Sequence, residues 1–357
     1  MIISKLSLRN FRNYAALDVE FSPGLNFIVG DNAEGKTNIV EAINFLSIAR
    51  SWRTSDNREL IKTGAEFAAI KANVDKSNSS TEINAILTSN NKKFLVDKKP
   101  VKKLSDLSKL VNVITFKPKD ALMFIDSPKV RRNFLDINLS KKSPLYLENL
   151  IRYEKLLEER NKILKSNNID KIQLDIVTLE MIKLSEIIVK YRYSYVNDIN
   201  HVLSKIVSQL KGENEKAFIS YTPYVSGAGD FIEVAKRAYE VALDRDIKSK
   251  STNIGIHRED IQMMLNDKDI SSYGSQGENR LAVIALKLAP YFLIEDRNLK
   301  PIIVLDDVLS ELDPENKERL IGFIRKFEQV FVTSTRINIK NASILEVKNH
   351  KVTRRYA

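Results

Sequence analysis

The chain has 357 residues, of which 43% are hydrophobic, and this is enough for two lobes and a sizeable core. It has no cysteine and only three histidines, which excludes disulfides, thiol catalysis and cysteine metal sites and argues against a zinc enzyme. Lysine and arginine outnumber aspartate and glutamate by 57 to 46, a formal net charge of +11 that favours an anionic partner such as nucleic acid.

The first residues, Met1–Leu6, have a strand pattern and not the pattern of a signal peptide. The sequence contains no run of about 18 apolar residues, so a membrane span is not expected. We therefore expect a cytoplasmic protein without a membrane partner.

Residues 30–37 match the P-loop pattern G-x-x-x-x-G-K-[ST] at every fixed position. The apolar run Leu25–Val29 predicts a buried strand before this loop, and apolar residues at helical spacing up to Ala49 predict a helix after it. A loop between a strand and a helix can hold a triphosphate, because backbone N–H groups and the helix dipole attract anions. The predicted ATP-binding residues are Gly30, Asp31, Asn32, Ala33, Glu34, Gly35, Lys36 and Thr37.

Two side chains of the loop have specific predicted roles. Lys36 reaches the β- and γ-phosphates, and Thr37 gives its hydroxyl to Mg²⁺. The cofactors predicted from this motif are therefore ATP and Mg²⁺.

The next segments predict a sheet and then a helical lobe. Residues 67–101 contain alternating apolar and polar positions, which is typical of antiparallel strands joined by polar turns. A helix is predicted from Pro144 to about Leu164, and apolar residues at three- and four-residue steps predict one very long helix, or two collinear ones, up to Gly212. These helices form a lobe inserted between the two halves of the ATP site. A strand at 217–221 and a helix from Phe231 to about Asp246 follow.

A second phosphate-handling segment lies near the other end of the chain. The apolar strand Ile302–Leu305 ends on Asp306 and Asp307. With a P-loop present, Asp306 completes the magnesium shell, and Asp307 orients or deprotonates the attacking water. Lys36 and Asp307 are thus predicted catalytic residues, and Thr37 and Asp306 are predicted metal ligands. Taken alone, the two acids also fit a strand that enters a polar turn.

Three further polar segments flank this strand. Residues 275–278, read Ser-Gln-Gly-Glu, precede an amphipathic helix and form either a second anion site or an ordinary N-cap. The pair Asp313–Pro314 predicts a helix start, since proline is favoured at the first helical position. Thr333 and Ser334 end the next strand, where small hydroxyls commonly face a ligand crevice.

These pieces in this order resemble the head of an ABC-type ATPase, and more narrowly the RecF family of the SMC-like group. The resemblance extends over nearly the whole chain. The segments that carry it are Leu8–Tyr14, Phe116–Asp120, Ser127–Asp136, His257–Arg258, Tyr273–Gly277 and Leu305–Asp313.

The resemblance implies an α/β fold: an ABC-type ATPase head, with a mixed β-sheet around the P-loop, an antiparallel β subdomain and an inserted α-helical lobe. The implied boundaries are 1–116 for the N-terminal half of the head, 117–240 for the helical lobe and 241–357 for the C-terminal half.

The resemblance also implies a composite site, in which two heads enclose two ATP molecules. Ser275 of one copy, with Gln276 and Gly277, would touch the γ-phosphate held by Lys36 of the other. Arg12 and Asn13 would lie near the adenine or ribose. ATP would then drive homodimerisation, and slow hydrolysis would release the dimer.

The function implied is that of a RecF-like protein of recombinational repair and replication restart. It would bind single-stranded and gapped or junction DNA, hydrolyse ATP weakly with stimulation by DNA, help RecO and RecR to load RecA, and support SOS induction. An ABC-type ATPase subunit of another machine, a transporter or an SMC-like complex, is the alternative. The inserted helices and the basic charge argue against a transporter, and the absence of cysteine argues against a zinc hook.

Some positions depart from the family pattern. Ala33 stands where a second glycine is common, Asp307 stands where ABC proteins generally have glutamate, and no glutamine marks a Q-loop, whose place the segment Phe116–Asp120 would take. Candidate DNA-contacting residues form three basic clusters, and the sole tryptophan, Trp52, would either stack on a base or pack in the core. The clusters are Lys98, Lys99, Lys102 and Lys103; Arg131 and Arg132; and Arg50 and Arg53.

Overall fold

The computed structural model describes residues 1–77, 79–212, 215–226, 229–273, 276–336 and 342–356, without the side chains of residues 105, 273, 276, 278 and 356. The chain divides into two compact units. The first unit contains residues 1–121, 205–214 and 280–357, and the second contains residues 122–204 and 215–279. The predicted boundaries at 116 and 240 stay a prediction, because a compact unit need not be a segment that folds alone.

The elements are numbered in chain order. The strands are β1 (Ile2–Phe11), β2 (Tyr14–Glu20), β3 (Gly24–Val29), β4 (Phe67–Lys76), β5 (Ser79–Thr88), β6 (Lys92–Val96), β7 (Lys99–Pro100), β8 (Val113–Phe116), β9 (Ala217–Thr222), β10 (Asp260–Leu265), β11 (Lys268–Asp269), β12 (Ile302–Leu305), β13 (Gln329–Ser334), β14 (Ser343–Lys348) and β15 (Lys351–Tyr356). The helices are α1 (Lys36–Ile48), α2 (Leu107–Leu110), α3 (Pro128–Lys142), α4 (Pro144–Lys165), α5 (Lys171–Lys211), α6 (Phe231–Ser249), α7 (Ile270–Tyr273), α8 (Gln276–Phe292) and α9 (Pro314–Ile324).

The first unit contains a mostly parallel sheet in the order β15-β14-β3-β13-β12-β8. All its pairs are parallel except the hairpin of β14 and β15. Every residue of β12 and β13 is buried, as expected for parallel strands that are covered on both faces. The carboxyl ends of β3, β12 and β13 therefore meet at one edge, which is where α/β sheets bind ligands.

The second sheet of this unit is antiparallel, in the order β2-β1-β4-β5-β6-β7. Its strands alternate between buried and exposed residues, and the buried face belongs to the same core cluster as the inner face of α1. The antiparallel strands predicted for residues 67–101 are therefore confirmed. Trp52 packs against this core and is partly buried.

The second unit contains long helices and the small sheet β11-β10-β9. α4 begins as the sequence predicts, with Pro144 at its first position and the Ser143 hydroxyl accepting a hydrogen bond from the Tyr146 N–H at 3.2 Å. α5 is a single helix of 41 residues, which decides between the two predicted alternatives. Among the described residues, no helix has the length and apolarity to cross a membrane.

Buried ion pairs stabilise this second unit. Arg192 donates to Asp136 at 2.8 Å and to Glu259 at 2.5 Å, and all three side chains are largely shielded from water. Arg160 donates to Asp246 at 2.7 Å, and this pair is fully buried. Removing one partner of such a pair leaves an uncompensated buried charge, so the pairs constrain how the helices pack.

The predicted basic cluster of Arg131 and Arg132 contacts acidic residues of this second unit. Arg131 is buried, donates to both carboxylate oxygens of Asp260 at 2.7 and 2.8 Å, and also donates to the backbone carbonyl of Met123. Arg132 donates to the Glu259 carbonyl at 2.7 Å. The prediction that Arg131 contacts DNA is wrong, because its guanidinium group is buried and engaged in internal hydrogen bonds. For Arg132, which is only partly buried, contact with DNA stays a prediction.

Candidate nucleotide site

The loop between β3 and α1 depends on its two fixed glycines. Gly35, which precedes α1, has φ 104°, a left-handed conformation that side chains rarely adopt. A Cβ atom at Gly35 would lie 2.7 Å from the Tyr14 hydroxyl, and one at Gly30 would overlap the Val347 carbonyl. Ala33 also has positive φ, 70°, so the position where the family often has a second glycine is left-handed here.

Lys36 folds over this loop. Its Nζ donates to the backbone carbonyls of Gly30 at 2.7 Å and Asp31 at 2.8 Å. Burial lowers the pKa of Lys36, and the nearby Asp307 and Asp306 oppose that shift. The ammonium group is thus held inside the loop, close to the acidic end of β12.

Asp306 lies at the end of β12 and is only 5% exposed. The hydroxyls of Thr37 and Thr333 both donate to its Oδ1, at 3.0 and 2.8 Å. Burial raises the pKa of Asp306, and these two hydrogen bonds partly oppose the shift. Three segments that are far apart in the sequence therefore meet at one carboxylate.

This arrangement fits Mg²⁺. The ion prefers hard oxygen ligands, and in phosphate sites it usually takes one or two from the protein and the rest from phosphate and water. The Thr37 hydroxyl and the Asp306 carboxylate are such a pair, in hydrogen-bonding contact at the same edge of the sheet as the P-loop. No cluster of three or more histidine, cysteine or acidic residues exists in the described part of the chain, so these residues offer no all-protein metal cage.

Asp307 is held in a strained conformation. Its φ is 53°, its N–H donates to the Thr333 hydroxyl at 2.8 Å, and its carbonyl accepts from the Ser310 hydroxyl at 2.9 Å. Left-handed backbone at a non-glycine residue costs on the order of 1–3 kcal/mol and is typical of functional sites. Both backbone contacts fix where the carboxylate can lie.

These residues line a cavity of about 710 Å³, a size suited to a nucleotide. Its lining residues are Asn32, Ala33, Gly35, Lys36, Thr37, Asn38, Trp52, Arg53, Lys117, Pro118, Lys119, Asp306, Asp307 and Thr333. The cavity thus contains residues 117–119 of the segment predicted to replace the Q-loop. Sequence reasoning did not assign Arg53, Lys117 or Lys119 to the nucleotide, although each is basic and follows a predicted element.

The two residues that the resemblance placed near the adenine or ribose do not line this cavity. Arg12 donates to both carboxylate oxygens of the fully buried Glu41, at 2.9 and 2.7 Å. The Asn13 side chain accepts from the Asn38 amide at 2.6 Å and lies beside Gly35. In this structure both residues support the loop, and their contact with a base stays a prediction.

The signature segment is only partly described. Ser275 and the Gln276 side chain lie outside the described residues. A Cβ at Gly277, the second residue of α8, would meet no atom of the described residues within 4 Å, so these residues leave the space beside it open. Further along α8, Arg280 donates to the Glu311 carbonyl at 2.9 Å and pairs with the Glu311 carboxylate, which ties this helix to the turn after β12.

The similarity to known proteins extends over nearly the whole chain. The model of the RecF/RecN/SMC N terminal domain matches residues 2–354. A DNA replication and repair protein RecF from Halalkalibacterium halodurans is 37% identical over 365 residues, which cover 98% of this chain and 98% of that protein.

Solved structures share the fold. A structure of the recombination mediator protein RecF, described as RecF-ATP in the RecFOR pathway, has a TM-score of 0.88 at 30% identity and covers 99% of this chain and 97% of its own. A Smc head domain from Pyrococcus furiosus, bound to the C-terminal domain of ScpA, has a TM-score of 0.58 at 19% identity, covering 99% of this chain and 96% of its own. The Smc head supports the fold alone. The predicted fold class, an ABC-type ATPase head with a helical lobe, is confirmed.

Proposed function

The chain belongs to the RecF family of SMC-like ATPases, and from this premise we propose that it is an ATP-switched, DNA-binding protein of recombinational repair. Family membership and the likeness to RecF-ATP support a repair protein that binds and hydrolyses ATP. The single observation that carries the proposal is the meeting of Thr37 and Thr333 on the Asp306 carboxylate, in a nucleotide-sized cavity that Lys36 also lines.

The P-loop would bind the triphosphate. The first N–H groups of α1 have no partners within the helix, and the helix dipole adds partial positive charge there. Lys36 would leave the carbonyls of Gly30 and Asp31 and bind the β- and γ-phosphates, because a phosphate oxygen is a stronger partner for an ammonium than a neutral carbonyl. Lys117 and Lys119 line the same cavity and would add positive charge.

The acidic strand end would serve hydrolysis. Mg²⁺, held by the Thr37 hydroxyl and the Asp306 carboxylate, would supply positive charge against the charge that develops on the phosphates. Asp307 would orient or deprotonate the attacking water. Its side chain is shorter than that of glutamate, and its backbone is fixed by Thr333 and Ser310, which supports slow turnover. Hydrolysis would then act as a switch and would be stimulated by DNA.

ATP would act between two copies of the chain. Ser275, with Gln276 and Gly277, would contact the nucleotide held by the partner copy, while Arg12 and Asn13 would lie on the base or ribose side. The open space beside Gly277 supports a close approach at this point. Hydrolysis would then separate the two copies.

The cellular role follows from the family. The dimer would bind single-stranded and gapped or junction DNA in the cytoplasm, help RecO and RecR to load RecA, and so support SOS induction. The formal net charge of +11 supports binding to a polyanion, whose affinity would fall steeply with salt.

Sedimentation velocity tests this proposal. The wild-type chain should dimerise with Mg-ATP, stay monomeric with ADP or without nucleotide, and bind gapped duplex more tightly as a dimer. Ser275→Arg should still bind ATP yet stay monomeric, whereas Ser79→Arg, at an exposed serine of β5, should dimerise normally. Asp307→Asn should accumulate as an ATP-bound dimer. A single particle under saturating Mg-ATP, with unchanged DNA affinity, would contradict the proposal.

A further inference from the structure

A second cavity, of about 490 Å³, lies in the first unit beside the nucleotide site. Trp52 and Arg53 line both cavities. The residues around the second cavity are Phe45, Ala49, Arg50, Ser51, Trp52, Arg53, Thr54, Ser55, Asn57, Leu60 and Lys92. Three of these carry positive charge, and no described residue of the lining is an acid. The cavity is therefore cationic, with one aromatic wall.

The three cations differ in how their charge is balanced. Arg53 lies 3.5 Å from the buried Glu41 carboxylate and donates to Asn38 at 2.8 Å. Lys92 donates to the backbone carbonyl of Ala49 at 2.7 Å and forms no ion pair with any described residue. Within the described part of the chain Arg50 forms no ion pair, and it is exposed.

The positive charges of Arg50 and Lys92 repel each other. Burial lowers the pKa of Lys92, and the positive charge of Arg50 lowers it further. Holding two like charges together costs free energy, and an anion bound between them would remove that cost. The cavity thus has the electrostatic character of an anion site that is separate from the P-loop.

The aromatic wall indicates which anion fits. Trp52 is the only tryptophan of the chain; it is partly buried, packs against the core and lines both cavities. An aromatic ring next to unpaired cations is the combination by which proteins bind a single nucleic acid strand: the cations hold the phosphate and the ring stacks on a base. A free inorganic anion would use the cations but would gain nothing from the ring.

We propose that this cavity binds a phosphodiester group of a single nucleic acid strand, with Arg50 and Lys92 on the phosphate and Trp52 on the adjacent base. The inference rests on the proposed function, since it names one part of the surface by which the protein binds DNA. The inference also assigns Arg50, Trp52 and Lys92 to nucleic acid. These residues lie beside the nucleotide cavity or line it, and none belongs to the phosphate-binding loop.

Tryptophan fluorescence tests the assignment directly, because Trp52 is the only emitter of its kind. The full chain is first saturated with Mg-ADP, so that the nucleotide cavity is filled, and is then titrated with a short oligothymidylate. Stacking should quench the emission of Trp52. Arg50→Gln and Lys92→Gln should each weaken the quenching titration about tenfold, and each should reduce the salt slope by about 0.7, the value for one phosphate contact on a single strand.

Matched variants separate charge from structure. Lys93 is the exposed neighbour of Lys92 on β6 and points to the other face, so Lys93→Gln should titrate like the wild type. Lys92→Arg keeps the charge and should restore quenching. Circular dichroism and Mg-ADP affinity should be unchanged in all four variants.

Three outcomes would overturn the inference. Equal quenching titrations for Arg50→Gln, Lys92→Gln and Lys93→Gln would show that the cations do not bind the strand. Inorganic phosphate that displaces the oligonucleotide at similar concentration would assign the cavity to free phosphate. Oligonucleotide binding detected by anisotropy but without any change in Trp52 emission would place the strand elsewhere and leave the proposed function standing. Absence of any DNA binding by the wild type with Mg-ATP as well as with Mg-ADP would contradict the proposed function itself.

Discussion

Asp306 is a carboxylate that is almost fully buried. None of the described residues places a cation within hydrogen-bonding distance of it. Two hydroxyls, from Thr37 and Thr333, provide its hydrogen bonds. Burial raises its pKa, which means that the folded protein favours the protonated form more than the unfolded chain does. The ionised side chain therefore destabilises the nucleotide-free protein at neutral pH. This cost declines as the pH falls below the raised pKa and is gone below the ordinary value of 3.8.

We predict that Asp306→Asn stabilises the nucleotide-free protein at neutral pH. The gain should be about 1.4 kcal/mol for each pH unit by which burial raises the pKa, and it should shrink toward zero at acidic pH, where the wild-type carboxyl is itself neutral. Urea unfolding midpoints at neutral pH and below pH 3.8, the ordinary pKa of an aspartate, measure both effects.

Asp307→Asn is the matched control, because it makes the same chemical change one residue further on, where the side chain is less buried. It should change the midpoint little at either pH. A gain from Asp306→Asn that is equal at both pH values would contradict the explanation by burial of charge.

For single residues, the sequence predicts which side chains carry chemistry better than it predicts which residues those side chains contact. The two motifs correctly predicted that Thr37 and Asp306 lie close together. Thr37 is at the start of α1 and Asp306 follows the end of β12, and both lie at the same edge of the sheet. It did not reveal that Arg12 pairs with Glu41, since that contact depends on the packing of β1 against α1. His257, which belongs to one of the segments that carry the family resemblance, contacts the Tyr153 hydroxyl at 2.9 Å and the Thr252 carbonyl at 3.1 Å, so its ring is held by internal hydrogen bonds.

Among the elements, α8 is linked to the wall of the nucleotide cavity by a buried ion pair. Lys287 of α8 binds the Asp120 carboxylate, and both side chains are largely buried. The same carboxylate accepts the Lys117 N–H at 3.0 Å and so closes the turn whose residues Lys117 and Lys119 line the cavity. The helix that follows the signature segment and the turn in the Q-loop's place therefore share one contact.

We predict that Lys287→Met destabilises the protein by about 3–5 kcal/mol, because it leaves the Asp120 charge buried and unpaired. The double variant Asp120→Asn with Lys287→Met should be more stable than Lys287→Met alone, since the amide is neutral and can still accept the Lys117 N–H. Urea unfolding measures both, and the single variant should also bind ATP more weakly.

A surface pair provides the comparison. Lys183 and Glu180 of α5 form an exposed pair at 2.7 Å, so Lys183→Met should cost less than about 1 kcal/mol. If the double variant at 120 and 287 were as unstable as the single one, the buried-charge explanation would be wrong.

The start of a helix could be predicted where a capping residue and a proline determine it. Asp313 accepts from the Asn316 N–H at 2.9 Å and Pro314 opens α9, as its sequence indicates. The apolar period of α5 predicted its helical structure but left open whether it is one helix or two, and the structure shows one. Strand order could not be predicted in this way, because β1 pairs with β4 and β3 lies between β13 and β14 through contacts that are distant in the sequence.

At the scale of the molecule, the residues that line the nucleotide cavity all belong to the first compact unit. Thr37 and Asp306 are 269 positions apart, and their hydrogen bond joins the N-terminal and C-terminal segments of that unit. A ligand that bridges them would bind only when both segments are folded together. Ligand binding should therefore stabilise the first unit and leave the second without a direct gain.

We predict that calorimetry resolves this difference. In the Ser275→Arg background, in which the chain should bind ATP but stay monomeric, Mg-ATP at about 100 times its Kd should stabilise the unfolding transition of the first unit by about 2.7 kcal/mol. Lys36→Ala should abolish the shift, whereas Asp307→Asn should retain it, because Asp307 is assigned to the water and not to the phosphates. ATP with EDTA should give a smaller shift than Mg-ATP, since the Asp306 carboxylate would then face the phosphates without a cation between them. An equal stabilisation of both transitions, or a full shift in Lys36→Ala, would mean that the nucleotide binds outside the cavity at the end of β3, β12 and β13.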